Sequence, residues 1–135
     1  MPGLTISLRV DRDRQLLNVV YSGPFDLSDA QRTFHDILAA LAEHKLKRVL
    51  VDGRQITGDL QPLERFYYSK YVADAVAQAV NRNKIEVPSF AYVLQEPVLD
   101  PNRFGETVAV NRGMRIKAFD NLKQAEGWLG VTNRE

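Results

Sequence analysis

At 135 residues, 44% hydrophobic and 26% charged, the chain has the size and apolar content of one ordinary globular domain, so residues 1–135 are read as a single domain. Eighteen basic against seventeen acidic side chains leave a net charge of +1, which gives no general field for a polyanion and argues against nucleic acid as a partner. The lack of cysteine excludes a disulfide framework, a thiolate metal site and a thiolate nucleophile, and fits a reducing compartment.

Leu4, Ile6, Leu8 and Val10 alternate with polar residues, the period-2 pattern of a strand with one buried face. Met1-Pro2-Gly3 opens directly into that strand instead of a signal peptide, and no apolar run approaches membrane-spanning length. A cytoplasmic protein is expected, with peripheral association at a membrane left open. Asp11 to Arg14 form a polar connector, and Leu16 to Tyr21 supply a second strand, which makes an antiparallel hairpin. Ser22-Gly23-Pro24 is expected to break it.

Leu27, Ala30, Phe34, Ile37, Leu38 and Leu41 recur at helical spacing, so the first helix carries one apolar stripe. Asp26 competes with a Ser28/Gln31 capping box for its start. His35 and His44 are too far apart on this helix to form a stacked metal pair, and no metal site or cofactor is expected. Leu46 to Val51 then read as a strand buried on both faces, ending at an Asp52-Gly53-Arg54 turn. A loop from Ile56 to Leu60 leads to Pro62 in the first turn of a second helix that runs to about Asn83. Ser89 to Leu94 give a fourth strand, and Asp100-Pro101 read as N-cap and first residue of a third helix that Gly113 closes. Arg115 to Phe119 form a fifth strand. The last helix, capped by Asp120 or Asn121 and ended by Gly130, points Leu122, Ala125, Trp128 and Leu129 inward.

The expected fold is α/β: a mixed five-stranded sheet, with an N-terminal antiparallel hairpin followed by parallel βαβ units, covered by about four helices. Three segments, "RVLVDGRQITG" (48–58), "NRGMRIKAFDN" (111–121) and "QAEGWLG" (124–130), together with the hairpin, resemble the SpoIIAA-like STAS/SEC14 family of bacterial proteins. The resemblance spans nearly the whole chain. It implies a fold shared with anti-sigma-factor antagonists and the CRAL-TRIO lipid-binding domain, and no established catalytic activity. In the antagonists the loop after the central strand resembles Asp-Ser-Ser-Gly-Leu and presents a serine to a partner kinase. Residues 53–60 of this chain hold no serine, and Thr57, the only hydroxyl there, is disfavoured as a phosphosite because a hydroxyl beside glycine ordinarily serves the turn.

No nucleophile elbow, phosphate loop or Ser-His-Asp set is present, so an enzyme is not expected. The carboxyl rim of the parallel strands should carry Asp52, Arg54, Gln95 and Glu96, candidates for a polar site and the basis of the least favoured reading, a small enzyme. On the second helix, Leu63, Tyr67 and Tyr71 form an apolar stripe about 160° from the core face at Val72 and Val76. Either the loop 56–60 or the loop 97–102 folds over this stripe, or it meets an apolar ligand, a membrane surface, a second subunit or another protein. The leading expectation is a non-enzymatic module for an apolar ligand or membrane surface. The alternative is a protein-interaction or regulatory module without the usual phosphoserine switch.

Overall fold

The computed structural model describes residues 3–131. The two alternating segments pair as an antiparallel hairpin of β1 (Thr5–Asp11) and β2 (Leu16–Pro24), with Leu8 opposite Val19. Then follow α1 (Leu27–His44), β3 (Arg48–Thr57), α2 (Pro62–Asn83), β4 (Ser89–Val93), α3 (Phe104–Asn111), β5 (Arg115–Phe119) and α4 (Leu122–Leu129). The sheet order is β1-β2-β3-β4-β5, and every pair after the hairpin is parallel. The mixed five-stranded sheet and its four helices are therefore as the sequence pattern implies.

Residue alternation divides the core between two faces. Val49, Val51 and Phe90 are fully buried on the side of α1 and α2, where Phe34 stacks on Phe90 with ring centroids 5.5 Å apart. Leu50, Ala91 and Val93 are buried on the other side against Ala125 and Leu129 of α4. β3 is thus covered on both faces, which explains its continuous apolar run. α4 lies over β3, β4 and β5 and also covers Leu16 at the start of β2, while the rest of that side of β1 and β2 stays open, with Ser7, Arg9 and Val20 exposed.

Several local expectations need correction. Asp52-Gly53-Arg54 is no turn: β3 runs on to Thr57, pairing Gln55 with Ser22 and Thr57 with Pro24. The register passes from Val20 opposite Asp52 to Ser22 opposite Gln55, so β3 accommodates one extra residue as a bulge. Gly53 sits in a tight place: a Cβ there would lie 2.6 Å from Leu94 Cδ2 and 2.9 Å from Ile56 Cδ1, so the ends of those two side chains would have to shift to admit one. Ser22-Gly23-Pro24 likewise continues β2 instead of breaking it, and Gly23 supplies the required φ of +105°.

Helix ends follow similar rules. Asp26, not the Ser28/Gln31 pair, caps α1 by accepting from Asp29 N at 2.8 Å. The third helix starts three residues later than Pro101: the Asp100 carboxylate accepts from Asn102 N and Phe104 N, which closes a turn ahead of the helix. Gly113 does end α3, donating to Val110 O while Met114 N donates to Ala109 O, a Schellman arrangement. Trp128 is 40% exposed and leans on Phe119 at the rim of α4, while Ala125 and Leu129 face the core.

Candidate functional site

The polar rim divides into separate parts. Arg54 donates from Nε and Nη2 to the two Asp52 carboxylate oxygens at 2.9 and 2.8 Å, and its backbone N–H adds a third bond to the same side chain. That bidentate clasp holds the Asp52 carboxyl below the usual carboxylate range, mainly through the guanidinium, with burial opposing it. The pair is self-satisfied across the bulge. Gln95 and Glu96 are exposed on the loop after β4, and among the described residues no hydrogen bond joins their side chains to the Asp52–Arg54 pair. The four candidates share an edge of the sheet without converging on a point.

The stripe on α2 also divides. Leu63 is 65% exposed and Tyr67 50%, so neither loop folds over them. Phe66 supports Tyr67 edge-on, with centroids 5.6 Å apart. Tyr71 is different: its hydroxyl lies 2.6 Å from His35 Nε2 and its ring is edge-on to the imidazole, so it is half-buried against α1. His44 is engaged separately, with Nδ1 2.9 Å from Arg12 Nη2. Just before α2, Thr57 and Asp59 are exposed, Gly58 turns the chain at φ +102°, and Glu64 accepts from Gln61 N at 2.8 Å. The loop and the first two turns of α2 thus present exposed Leu63 and Tyr67 beside acidic Asp59 and Glu64.

Sequence reasoning missed a cavity on the inner side of the same helix. About 110 Å³ of space lies between the carboxyl ends of β3, β4 and β5, the first turns of α2, and the segment leading into α3. Its wall is apolar, formed by Phe25, Val51, Ile56, Leu94, Val98 and Ile116 among others. Val51 and Asp52 alternate along β3, so the sheet separates this space from the Asp52–Arg54 clasp. Gly105 brings α3 close to α2 at the cavity edge, where a Cβ would meet Ser69 Oγ at 2.8 Å.

Polar groups at the cavity are few and specific. Tyr68 Oη and Tyr92 Oη lie 2.6 Å apart, and burial pushes both phenols above their ordinary range. One hydrogen bond uses one of their two protons, which leaves a second for another acceptor. Tyr21, also on the wall, is pushed up to about 12 by burial. Thr33 Oγ1 spends its single proton on a backbone carbonyl, at 2.7 Å from Asp29 O, so Tyr21 must be the donor in its 2.8 Å bond to Thr33. Arg65 crosses the mouth of the cavity and donates to Val98 O and Pro97 O, both at 2.6 Å, pinning the segment that follows the cis Glu96-Pro97 bond. On the far side, Glu106 accepts from Ala118 N at 2.8 Å.

An apolar chamber with paired phenols suits a small apolar body bearing one hydrogen-bonding group. Among the described residues no hydrogen bond joins the Ser69 hydroxyl on its wall to a carboxylate or an imidazole. The chamber draws on five separate stretches of chain, so no contiguous motif could have announced it.

No protein-family model matches the chain, and no curated protein matches it. Solved structures do. An anti-sigma factor antagonist from Mycobacterium paratuberculosis shares 14% identity over 95% of each chain with a TM-score of 0.55. An uncharacterised protein of the DUF3478 family with a SpoIIAA-like fold, from Shewanella loihica PV-4, shares 16% identity over 94% of each chain with a TM-score of 0.54. At these identities the likeness is one of fold: the chain has the SpoIIAA-like fold. Among the described residues no helix is long and apolar enough to cross a membrane.

Proposed function

We propose that the chain is a non-enzymatic regulatory module that engages a protein partner through the 57–61 loop and the first two turns of α2. The observation that carries this reading is the exposure of Leu63 and Tyr67 on a helix whose opposite face is already committed to the core. An aromatic ring with a polar tip beside an aliphatic side chain is the composition of an interface centre, and the flanking carboxylates favour a basic partner. The fold shared with an anti-sigma factor antagonist supports protein binding as the mode of action. Without a serine in the loop, binding would be set by partner availability and by the state of α2, not by phosphorylation of Thr57. Affinity capture from the native source, comparing wild type with Leu63→Ser/Tyr67→Ser, tests this. A defined partner retained by wild type and lost from the variant is expected. Equal retention would move the interface elsewhere, and liposome flotation abolished by the same variant would assign the patch to a membrane surface.

A second reading rests on the cavity. At about 110 Å³ it is smaller than the roughly 150 Å³ enclosed apolar cavity that holds benzene, so a small ring with one polar group would fill it and extend into its open mouth. Benzyl alcohol serves as a probe. Chemical-shift changes should centre on Tyr68 and Tyr92 and vanish in Ala118→Leu, which fills the space from β5; changes scattered over the surface would refute the assignment. Because Arg65, Tyr68 and Ser69 line the cavity while Leu63 and Tyr67 face outward, occupancy would bear on the same helix turns that form the patch.

A further inference from the structure

The two edges of the sheet are treated differently. At β5, Arg115 and Lys117 put charge on a short strand, Glu106 takes up the Ala118 amide, and α3 packs alongside. These are devices that discourage strand addition. β1 is longer and less guarded: its charges are Arg9 and the terminal Asp11, and its seven residues include no proline and no lysine and keep an unbroken register with β2. Exposed Leu8 sits at its middle, between half-buried Ile6 and Val10.

β1 is also self-complementary. If a second copy lies antiparallel with Leu8 opposite Leu8, all seven residues find partners: Ile6 faces Val10, Ser7 faces Arg9 and Thr5 faces Asp11. Facing residues then share parity, so the apolar set of one strand meets the apolar set of the other, and the outward N–H and C=O groups coincide. A register centred on Arg9 would set that guanidinium against itself, and one centred on Ser7 would pair only Thr5 to Arg9. The one charge in the middle of the strand therefore selects the Leu8 register.

We propose that β1 is a homodimer interface, in which two copies join edge to edge about a two-fold axis at Leu8 and merge their sheets into one of ten strands. The interface is independent of the α2 patch and of the cavity. A single strand pair buries less than the roughly 1,200–2,000 Å² of a standard stable interface, so the dimer is a weak one governed by concentration.

Ser7 gives a test that spares the fold, because it is exposed on the open side of the sheet. Ser7→Lys places two like-charged pairs across the axis against Arg9 of the other copy, and Ser7→Glu places two opposite-charged pairs there. Sedimentation equilibrium over a concentration series should show a wild-type dimer weakened about tenfold by Ser7→Lys and tightened by Ser7→Glu, both variants melting with wild type. The alternate amides of β1 that point away from β2 should exchange more slowly as wild-type concentration rises. A wild-type monomer at every concentration, dimers indifferent to both substitutions, or β1 exchange independent of concentration would each overturn the proposal.

Discussion

Leu50 shows what one residue can carry. It is 4% exposed, lies on the α4 side of the central strand and packs with Ala91, Val93 and Leu129. Leu50→Ala should cost about 2–5 kcal/mol, the lost transfer energy plus the cavity left under α4. A urea titration checks this, and a cost under about 1 kcal/mol would show that α4 closes over the gap. The buried phenols add a pH dependence. Tyr68 and Tyr92 are held protonated in the fold beyond the range of a free phenol near 10. Above that range the unfolded chain gives up protons that the folded chain keeps, so their contribution is complete below about pH 10 and declines as pH rises further. Between about pH 9 and about pH 11, urea titrations should show wild type losing more stability than Tyr68→Phe/Tyr92→Phe. Equal losses would mean these hydroxyls ionise as freely in the fold as out of it. Leu50 was legible because a short, β-branched apolar run fits a strand buried on both faces. The crowding around Gly53 was not, since it comes in part from the Leu94 side chain, forty-one residues along the chain.

Elements were legible where one physical signal dominated and illegible where two competed. α1 and α4 announce themselves by apolar spacing; of the alternative caps that each sequence offers, Asp26 and Asn121 are the ones used, and Gly130 ends α4 as its position implies. β3 was cut short because Asp52-Gly53-Arg54 read as punctuation, whereas the ladder to Ser22, Gly23 and Pro24 carries the strand past it to Thr57, just before Gly58 turns the chain. The start of α3 was misplaced because Asp100 caps a turn in the same way that it would cap a helix. The segment between β4 and α3 depends on a contact outside itself, the Arg65 guanidinium on the carbonyls of Pro97 and Val98. Arg65→Ala leaves both carbonyls without that charged donor, at a cost of about 1–3 kcal/mol. Hydrogen exchange should quicken at Leu99 and Arg103, whose amides close turns in this segment, while β4 amides keep their protection. Unchanged exchange would show that the segment is held by Val98 and Leu99 packing alone.

For the whole molecule, the order ββαβαβαβα leaves little topological freedom: each strand after the hairpin lands beside its predecessor, and right-handed crossovers distribute the helices. That order, more than any motif, made the fold readable, and the likeness to SpoIIAA-like structures at 14% and 16% identity agrees with it. The candidate surface was readable in part. The stripe's spacing pointed to Leu63, Tyr67 and Tyr71, but Tyr71 is drawn onto α1 by His35, a partner on another helix that helical periodicity cannot reveal. What remains exposed is a two-residue apolar patch on an acidic rim at the start of α2, and the proposed function rests on it. The most direct test is site-specific photo-crosslinking from position 67 in cells of the native source, with exposed Arg82 on the last turn of the same helix as the control position. The account predicts one discrete protein adduct from position 67 and none from position 82. Equal labelling from both positions, or an adduct to lipid in place of protein, would contradict it.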